Sequence, residues 1–383
     1  MRERTLRLTL EYDGARFAGW ARQPDRRTIE GTLVDALESL WPGSSASLAV
    51  AGRTDAGVHA SHQVASVLAS GGPPPERTAD ALRSLLPRDL AVVAADEAPP
   101  VFHARFSALA RRYEYRVLAR RPRSPLRAER VLHHASPLDR GVLDACAELV
   151  VGEHDFGAFT PTATPGERRL RHVTACAWRA EGDELVLEIE ADAFLHHMVR
   201  TLVGTMLEAG RHARGVDSFT RLLGGAAREV AGPTAPPHAL TLTGVRYAGD
   251  VPGGDRIRCY VTRERAGARE LLVLEDGASL TVPVGAFEPC ERVDLAAFRV
   301  ARASTGVELS SVPRPLGISC DAATGAGELR TRAVWLRAPE DTRDAWMHHV
   351  EPGRPAVACR FASLLQQLPL EQPRQLERLA LAV

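Results

Sequence analysis

The chain has 383 residues, 45% hydrophobic and 25% charged, and its 48 basic residues, all arginine, balance 48 acidic ones. That length implies two or three domains; no apolar run approaches membrane-spanning length, and Met1-Arg2-Glu3-Arg4 lacks a signal-type apolar region, which points to the cytoplasm and away from a membrane. Six scattered cysteines, Cys146, Cys176, Cys259, Cys290, Cys320 and Cys359, contain no Cys-x-x-Cys pair, so neither a zinc site nor a disulfide framework is indicated.

Leu6, Leu8, Leu10 and Tyr12 alternate with polar residues, the period of a half-buried first strand that Asp13-Gly14 ends. Phe17-Ala18-Gly19-Trp20-Ala21-Arg22-Gln23 follows as an aromatic and basic loop. Thr28 caps a helix whose Ile29, Leu33, Leu37 and Leu40 share one stripe. The apolar Leu48-Ala49-Val50 then runs into Ala51-Gly52-Arg53-Thr54-Asp55-Ala56-Gly57-Val58-His59. A cation, a hydroxyl, a carboxylate and an imidazole are too many polar groups for a strand interior. The stretch reads as a turn at the end of a sheet, where sites in such folds lie.

Strands are expected over 62–69, 90–95 and 112–118, with a helix over 78–86 that Pro87 stops. Arg105, Arg111, Arg112, Arg116, Arg120, Arg121, Arg123, Arg127 and Arg130 crowd one segment opposed in sequence only by Glu114 and Glu129, a pattern suited to phosphate or to a solvated face. Ser136-Pro137 marks a helix start. A hairpin over 172–180 and 184–192 turns at Glu181-Gly182-Asp183, and Leu195, Met198, Val199, Leu202, Val203, Met206 and Leu207 give the next helix a broad apolar stripe closed by Gly210. A strand over 240–247 completes the set.

Arg53-Thr54-Asp55-Ala56-Gly57-Val58-His59 resembles the catalytic loop of the TruA-type tRNA pseudouridine synthases, with Asp55 at the nucleophile's position. Arg111-Arg112-Tyr113-Glu114-Tyr115, Phe102-His103-Ala104-Arg105-Phe106 and Phe194-Leu195-His196-His197-Met198-Val199-Arg200 match the same family. In Pro236-Pro237-His238-Ala239-Leu240 the family's usual glycine is Ala239. The resemblance spans about 6–247. It implies an α+β pseudouridine synthase fold: a mixed, mostly antiparallel sheet flanked by helices, in two pseudo-symmetric halves of about 1–105 and 106–247. It further implies a homodimer, without metal or other cofactor, that modifies uridines at positions 38–40 in the anticodon arm of tRNA.

The chemistry asks for little more than a carboxylate. Breaking the C1′–N1 bond, turning the uracil and rejoining it through C5 needs no redox change, and an aspartate can attack the sugar or assist elimination of the base. The target must leave its stack, because C1′ and C5 cannot both be worked on inside a helix. Arg53 is placed to favour the charged form of Asp55 or to bind phosphate. Tyr113 matches the family's stacking tyrosine and is a candidate for proton transfer; Leu240 matches the aliphatic neighbour of the base. Arg105, Arg200, Arg22, Arg111 and Arg112 are read as substrate contacts. Adjacent His196 and His197 are not spaced as a metal pair on a helix.

Residues 248–254, with Pro252-Gly253-Gly254, read as a linker, and strands are expected at 258–263 and 270–274. Beyond them Val282-Pro283-Val284-Gly285, Glu291, Arg299, Gly306 and Val307 resemble a Nudix box. Its metal-binding glutamate positions and their neighbour are Val300, Ala303 and Ser304, so the oxygen ligands for Mg²⁺ are missing. The expectation is a degenerate α/β/α Nudix-like domain over 255–383, closed by a terminal helix at 372–382, binding an unknown ligand and releasing no diphosphate product. A silent tRNA-binding protein, or a nucleotide hydrolase working through this domain, is the alternative to a tRNA-modifying enzyme.

Overall fold

A computed structural model describes residues 2–161, 169–250, 255–276, 279–309, 311–321, 329–348 and 356–363. Two compact units divide the chain, Met1–Arg246 and Tyr247–Val383.

The first unit opens with β1 (Glu3–Tyr12), α1 (Ile29–Leu40), β2 (Ala49–Val50), β3 (His59–Ser70), α2 (Pro75–Arg83) and β4 (Leu90–Ala98). It continues through β5 (Ala108–Leu118), β6 (Leu132–His133), α3 (Arg140–Val150), β7 (Gly152–Asp155), β8 (Leu170–Glu181) and β9 (Glu184–Ala191), and closes with α4 (Met198–Gly210), α5 (Val216–Leu222) and β10 (Leu240–Tyr247). The main strand path is β4-β1-β3-β10-β5-β9-β8-β7, with β2 on β3 and β6 on β5. β1 pairs antiparallel with β3 and β4, and β9 with β5 and β8, while β10 runs parallel to β3. The sheet is therefore mixed and mostly antiparallel, as the resemblance implies. The alternation read from Leu6, Leu8 and Leu10 places all three fully out of water, each burial being worth about 1.5–3 kcal/mol.

Helix α1 starts where expected, the Thr28 hydroxyl accepting from Gly31 N–H at 3.2 Å. The start of α3 differs: its cap is Asp139, whose carboxylate accepts from Val142 N–H, and not Ser136. Its buried residues are Leu143, Cys146, Ala147 and Val150. Helix α4 begins three residues later than the apolar stripe suggests, because His197 takes a left-handed backbone, φ 62°, at its N-cap. Every residue of α4 except Arg200 and Glu208 is buried, as befits a helix that is apolar all round. Gly204 lets it press against the chain: a Cβ there would lie 1.8 Å from the Pro233 carbonyl oxygen.

In the second unit a sheet of order β15-β16-β11-β12-β18-β17 is built from β11 (Asp255–Arg265), β12 (Ala268–Asp276), β13 (Ser279–Thr281), β14 (Val284–Ala286), β15 (Arg314–Asp321), β16 (Leu329–Arg337), β17 (Ala345–His348) and β18 (Val357–Ser363), with β13 on β12 and β14 on β11. Helix α6 (Val293–Thr305) covers one face, burying Ala296, Ala297, Val300 and Ala301 among Ile257, Cys259 and Val261. Gly306, φ 73°, caps it. Residues 251–254 of the expected linker and the whole expected terminal helix lie outside the described residues.

Candidate active site

Asp55 stands on a loop that the sequence pins from beneath. Trp20 N–H donates to the Thr54 carbonyl at 2.9 Å, the Tyr12 and Thr54 hydroxyls lie 2.8 Å apart, and the Gln63 amide donates to Tyr12 Oη at 3.2 Å and to the Gly52 carbonyl at 2.7 Å. Burial raises the Tyr12 phenol to about 12, so it stays a hydroxyl and keeps this network intact. Gly14 lies so close to the loop that a Cβ would meet the Val58 carbonyl oxygen at 1.9 Å. The segment 17–23, read from the sequence as an aromatic and basic loop, is in its rings a buttress: Phe17 and Trp20 are buried in the core.

His59 closes the loop's far end. Its Nδ1 accepts from Gly14 N–H at 3.0 Å, and its Nε2 faces the His238 and Glu129 carbonyls at 2.9 and 3.0 Å. The Gly14 N–H and the two carbonyls fit a neutral ring protonated at Nε2, while Asp13 Oδ1, 3.1 Å from Nδ1, favours the charged ring. Burial, then the Arg130 cation, hold the imidazole below its usual value, on the side of the neutral ring.

Above the loop is a cleft of about 740 Å³ whose lining includes Asp55, Tyr113, Phe194, His196, Arg200 and Leu240. Arg200 Nη1 donates to Asp55 Oδ2 at 2.9 Å, and its Nε donates to the Ala235 carbonyl at 2.8 Å. The two-point hold fixes the carboxylate by a charge-assisted bond. This corrects the expectation for Arg53, whose side chain is exposed on the cleft wall and forms no ion pair with Asp55. The charge partner comes from 145 residues further on.

The two adjacent histidines also differ from the expectation. The left-handed turn at His197 sets both rings beside the aspartate, His196 Nε2 3.6 Å from Oδ1 and His197 Nε2 3.5 Å from Oδ2. Asp55, His196 and His197 thus have the donor types and proximity of a metal cluster. Burial lowers the His197 value against the pull of Asp55, and His196 and Arg200 lower it further. Sequence reasoning misses this because helical spacing does not apply to residues ahead of the helix.

Tyr113 is buried in the cleft wall, edge-on to Phe194 with ring centroids 5.2 Å apart. Burial, with Tyr12 and the Asp55 charge, raises its pKa far above the ordinary phenol. At neutral pH it is therefore an uncharged phenol, able to offer a hydrogen bond into the cleft. Leu240, 5% exposed, presents its side chain to the same space.

The arginines divide sharply. Arg111 is buried and spends its guanidinium on backbone carbonyls, Ala51 at 2.7 Å, Asp192 at 2.7 Å and Arg105 at 2.9 Å, so it staples the Asp55 loop to its neighbours. Arg112, one residue on, leaves the opposite side of β5 and pairs with Glu190 at 3.0 Å and Glu188 at 3.6 Å. Arg22 is exposed and outside the cleft lining. Of the nine crowded arginines, Arg116, Arg120 and Arg127 pair with Glu181, Asp183 and Glu184 of the β8–β9 hairpin, and Arg130 pairs with Asp13. The apparent basic patch is largely neutralised by carboxylates distant in sequence. Arg105 remains exposed at the cleft.

Residues 9–107 and 145–248 match the sequence model of the family described as tRNA pseudouridine synthase. The chain is 45% identical over 251 residues to tRNA pseudouridine synthase A of Chloroflexus aurantiacus, covering 64% of this chain and 89% of that protein. It is 39% identical over 233 residues to the protein of the same name from Halalkalibacterium halodurans, covering 61% and 89%. The chain belongs to the tRNA pseudouridine synthase family, whose reaction is the isomerisation of uridine in tRNA. Among solved structures, a Nudix hydrolase from M. smegmatis matches 36% of this chain and 89% of its own at 18% identity and a TM-score of 0.26; a superposition that loose carries no weight for the second unit.

Proposed function

We propose that this chain converts uridine to pseudouridine in the anticodon arm of tRNA, at positions 38–40, with Asp55 as the nucleophile. The observation that carries the reading is a partly exposed carboxylate held by Arg200 in a cleft walled by Tyr113, Phe194 and Leu240. Leu240 and the Tyr113–Phe194 pair give an extruded uracil apolar and aromatic surfaces to lie on. Asp55 engages the sugar, by attack at C1′ or by assisting loss of the base, while the uracil turns. The exchange then needs a proton lost from C5 and one gained at N1. Tyr113, a neutral phenol on the cleft wall beside Phe194, is the group this reading assigns to that proton transfer.

The same reading takes the first unit as two pseudo-symmetric halves, β4-β1-β3 and β5-β9-β8-β7 around β10, working as a homodimer on tRNA. Incubation of the full chain with an unmodified tRNA transcript, followed by mapping of pseudouridine, tests it. Product at one or more of positions 38–40 is expected; product elsewhere only, or none, rejects the assignment.

For the second unit we propose a Nudix-like fold without diphosphate hydrolysis, serving as a binding domain. Glu291 is buried and clamped bidentately by Arg299, Nε to Oε1 at 2.8 Å and Nη2 to Oε2 at 2.7 Å, so the carboxylate retained at the box is already occupied by a guanidinium. Phosphate release from nucleoside diphosphate derivatives in the presence of Mg²⁺ would overturn this.

A further inference from the structure

Five arginines line the cleft: Arg53, Arg105, Arg111, Arg171 and Arg200. Arg200 holds Asp55 and the Ala235 carbonyl, and Arg111 is saturated by backbone carbonyls. The other three form no ion pair among the described residues, in a protein whose remaining arginines near this sheet are mostly matched to carboxylates.

Arg171 is the least expected of them. It sits near the start of β8, and since Arg111 and Val173 both pair with Ala191, it lies at the end of the sheet from which the chain leaves for Phe194, His196 and His197. Its side chain is half-buried, its Nε is shut off from water with no hydrogen-bond partner among the described residues, and its Nη1 donates to the adjacent Leu170 carbonyl at 2.6 Å. A guanidinium has five N–H donors in a planar fork, and among the described residues only Nη1 of this one is engaged, leaving its Nη2 side for a ligand. Burial depresses its pKa, the Asp192 carboxylate opposes this, and the Arg169 cation adds to the depression. Holding a cation partly out of water in a cleft is costly unless an anion arrives to meet it.

We propose that Arg171 is a ligand for a backbone phosphate of the substrate RNA, forming with Arg53 and Arg105 an anion-binding rim that fixes the strand on which the target uridine lies. The inference rests on the tRNA reading above and deepens it. A phosphodiester suits the site better than a base edge: the guanidinium fork matches two phosphate oxygens. Arg171 lines the same cleft as Asp55 and Tyr113, and the phosphates are the part of an RNA strand that carries its charge. Such a contact carries no sequence information and acts by positioning.

The test uses the full chain and an unmodified tRNA transcript. Binding is measured at several salt concentrations for the native protein, Arg171→Gln and Arg171→Lys, together with KM and kcat. Loss of one phosphate contact reduces the salt slope by about one and weakens binding about tenfold. Arg171→Gln is expected to show both, with the loss in kcat/KM carried mainly by KM, and Arg171→Lys to recover the slope. Native affinity and slope in Arg171→Gln overturn the proposal; so does a fall in kcat with binding unchanged. Thermal unfolding of both variants is followed in parallel: if the glutamine variant is unfolded, a folded lysine variant that has lost the full salt slope is the contrary result. The functional reading fails separately, when the native protein binds the transcript but makes no pseudouridine.

Discussion

Arg200→Gln isolates what the charge on Asp55's partner contributes. The native guanidinium is 13% exposed and the Asp55 side chain 23%, so the 2.9 Å bond between them is well shielded from water. Arg200 also donates to the Ala235 carbonyl at 2.8 Å, which fixes the direction from which it approaches. A hydrogen bond to a charged group contributes about 1.5–3 kcal/mol. At about 1.4 kcal/mol per tenfold, losing it from the transition state lowers kcat/KM by roughly 10- to 150-fold. Arg200→Lys restores charge without the two-point geometry, and an intermediate value is expected. Single-turnover formation of pseudouridine on a tRNA transcript, with enzyme in excess, reads the effect without product release. Activity of Arg200→Gln within twofold of native, with Arg200→Lys no better, would refute the assignment of Arg200 as the group that holds the nucleophile.

Three other perturbations separate the loop's support from its chemistry. Gly14→Ala drives a methyl into the Val58 carbonyl, 1.9 Å from the new Cβ; a stability loss of about 1–3 kcal/mol is expected, with a fall in kcat of up to about 100-fold because a shift near 1 Å at the reacting group is that costly, both read by thermal unfolding and turnover. His59 has its folded-state value pushed below 6.5, so the unfolded chain binds the extra proton first and stability is lost as pH falls below about 6.5. Unfolding midpoints followed from about pH 7 to about pH 5 should therefore drop in the native protein and drop less in His59→Gln. Arg112→Gln, altering a residue paired to Glu188 and Glu190 away from the cleft, should leave tRNA affinity and its salt slope within twofold of native in a binding titration.

Local signals account for most of what was legible in the sequence. The 53–59 string, the Thr28 cap, the 240–247 strand and the alternation of Leu6, Leu8 and Leu10 depend on neighbours a few residues apart. What the sequence concealed depends on long-range pairing. Arg53, two residues from Asp55, looks like its partner, but Arg200 at the start of α4 takes that place, lining the cleft while the adjacent Thr201 is buried. The basic segment 105–130 looks like a phosphate patch until β9 pairs with β5 and the β8–β9 hairpin brings Glu181, Asp183 and Glu184 against it. Arg171 carries no motif at all; only its place on the cleft and the donors unengaged among the described residues reveal it. The left-handed backbone at His197 is likewise invisible in a string of residues, although His is among the side chains that tolerate that region.

Asp55→Asn keeps the shape of the side chain while removing its negative charge. Measured in single turnover on a transcript it still binds, an aspartate nucleophile predicts no pseudouridine above background alongside full conversion by the native protein. Pseudouridine formed by Asp55→Asn at a rate near the native one would contradict it.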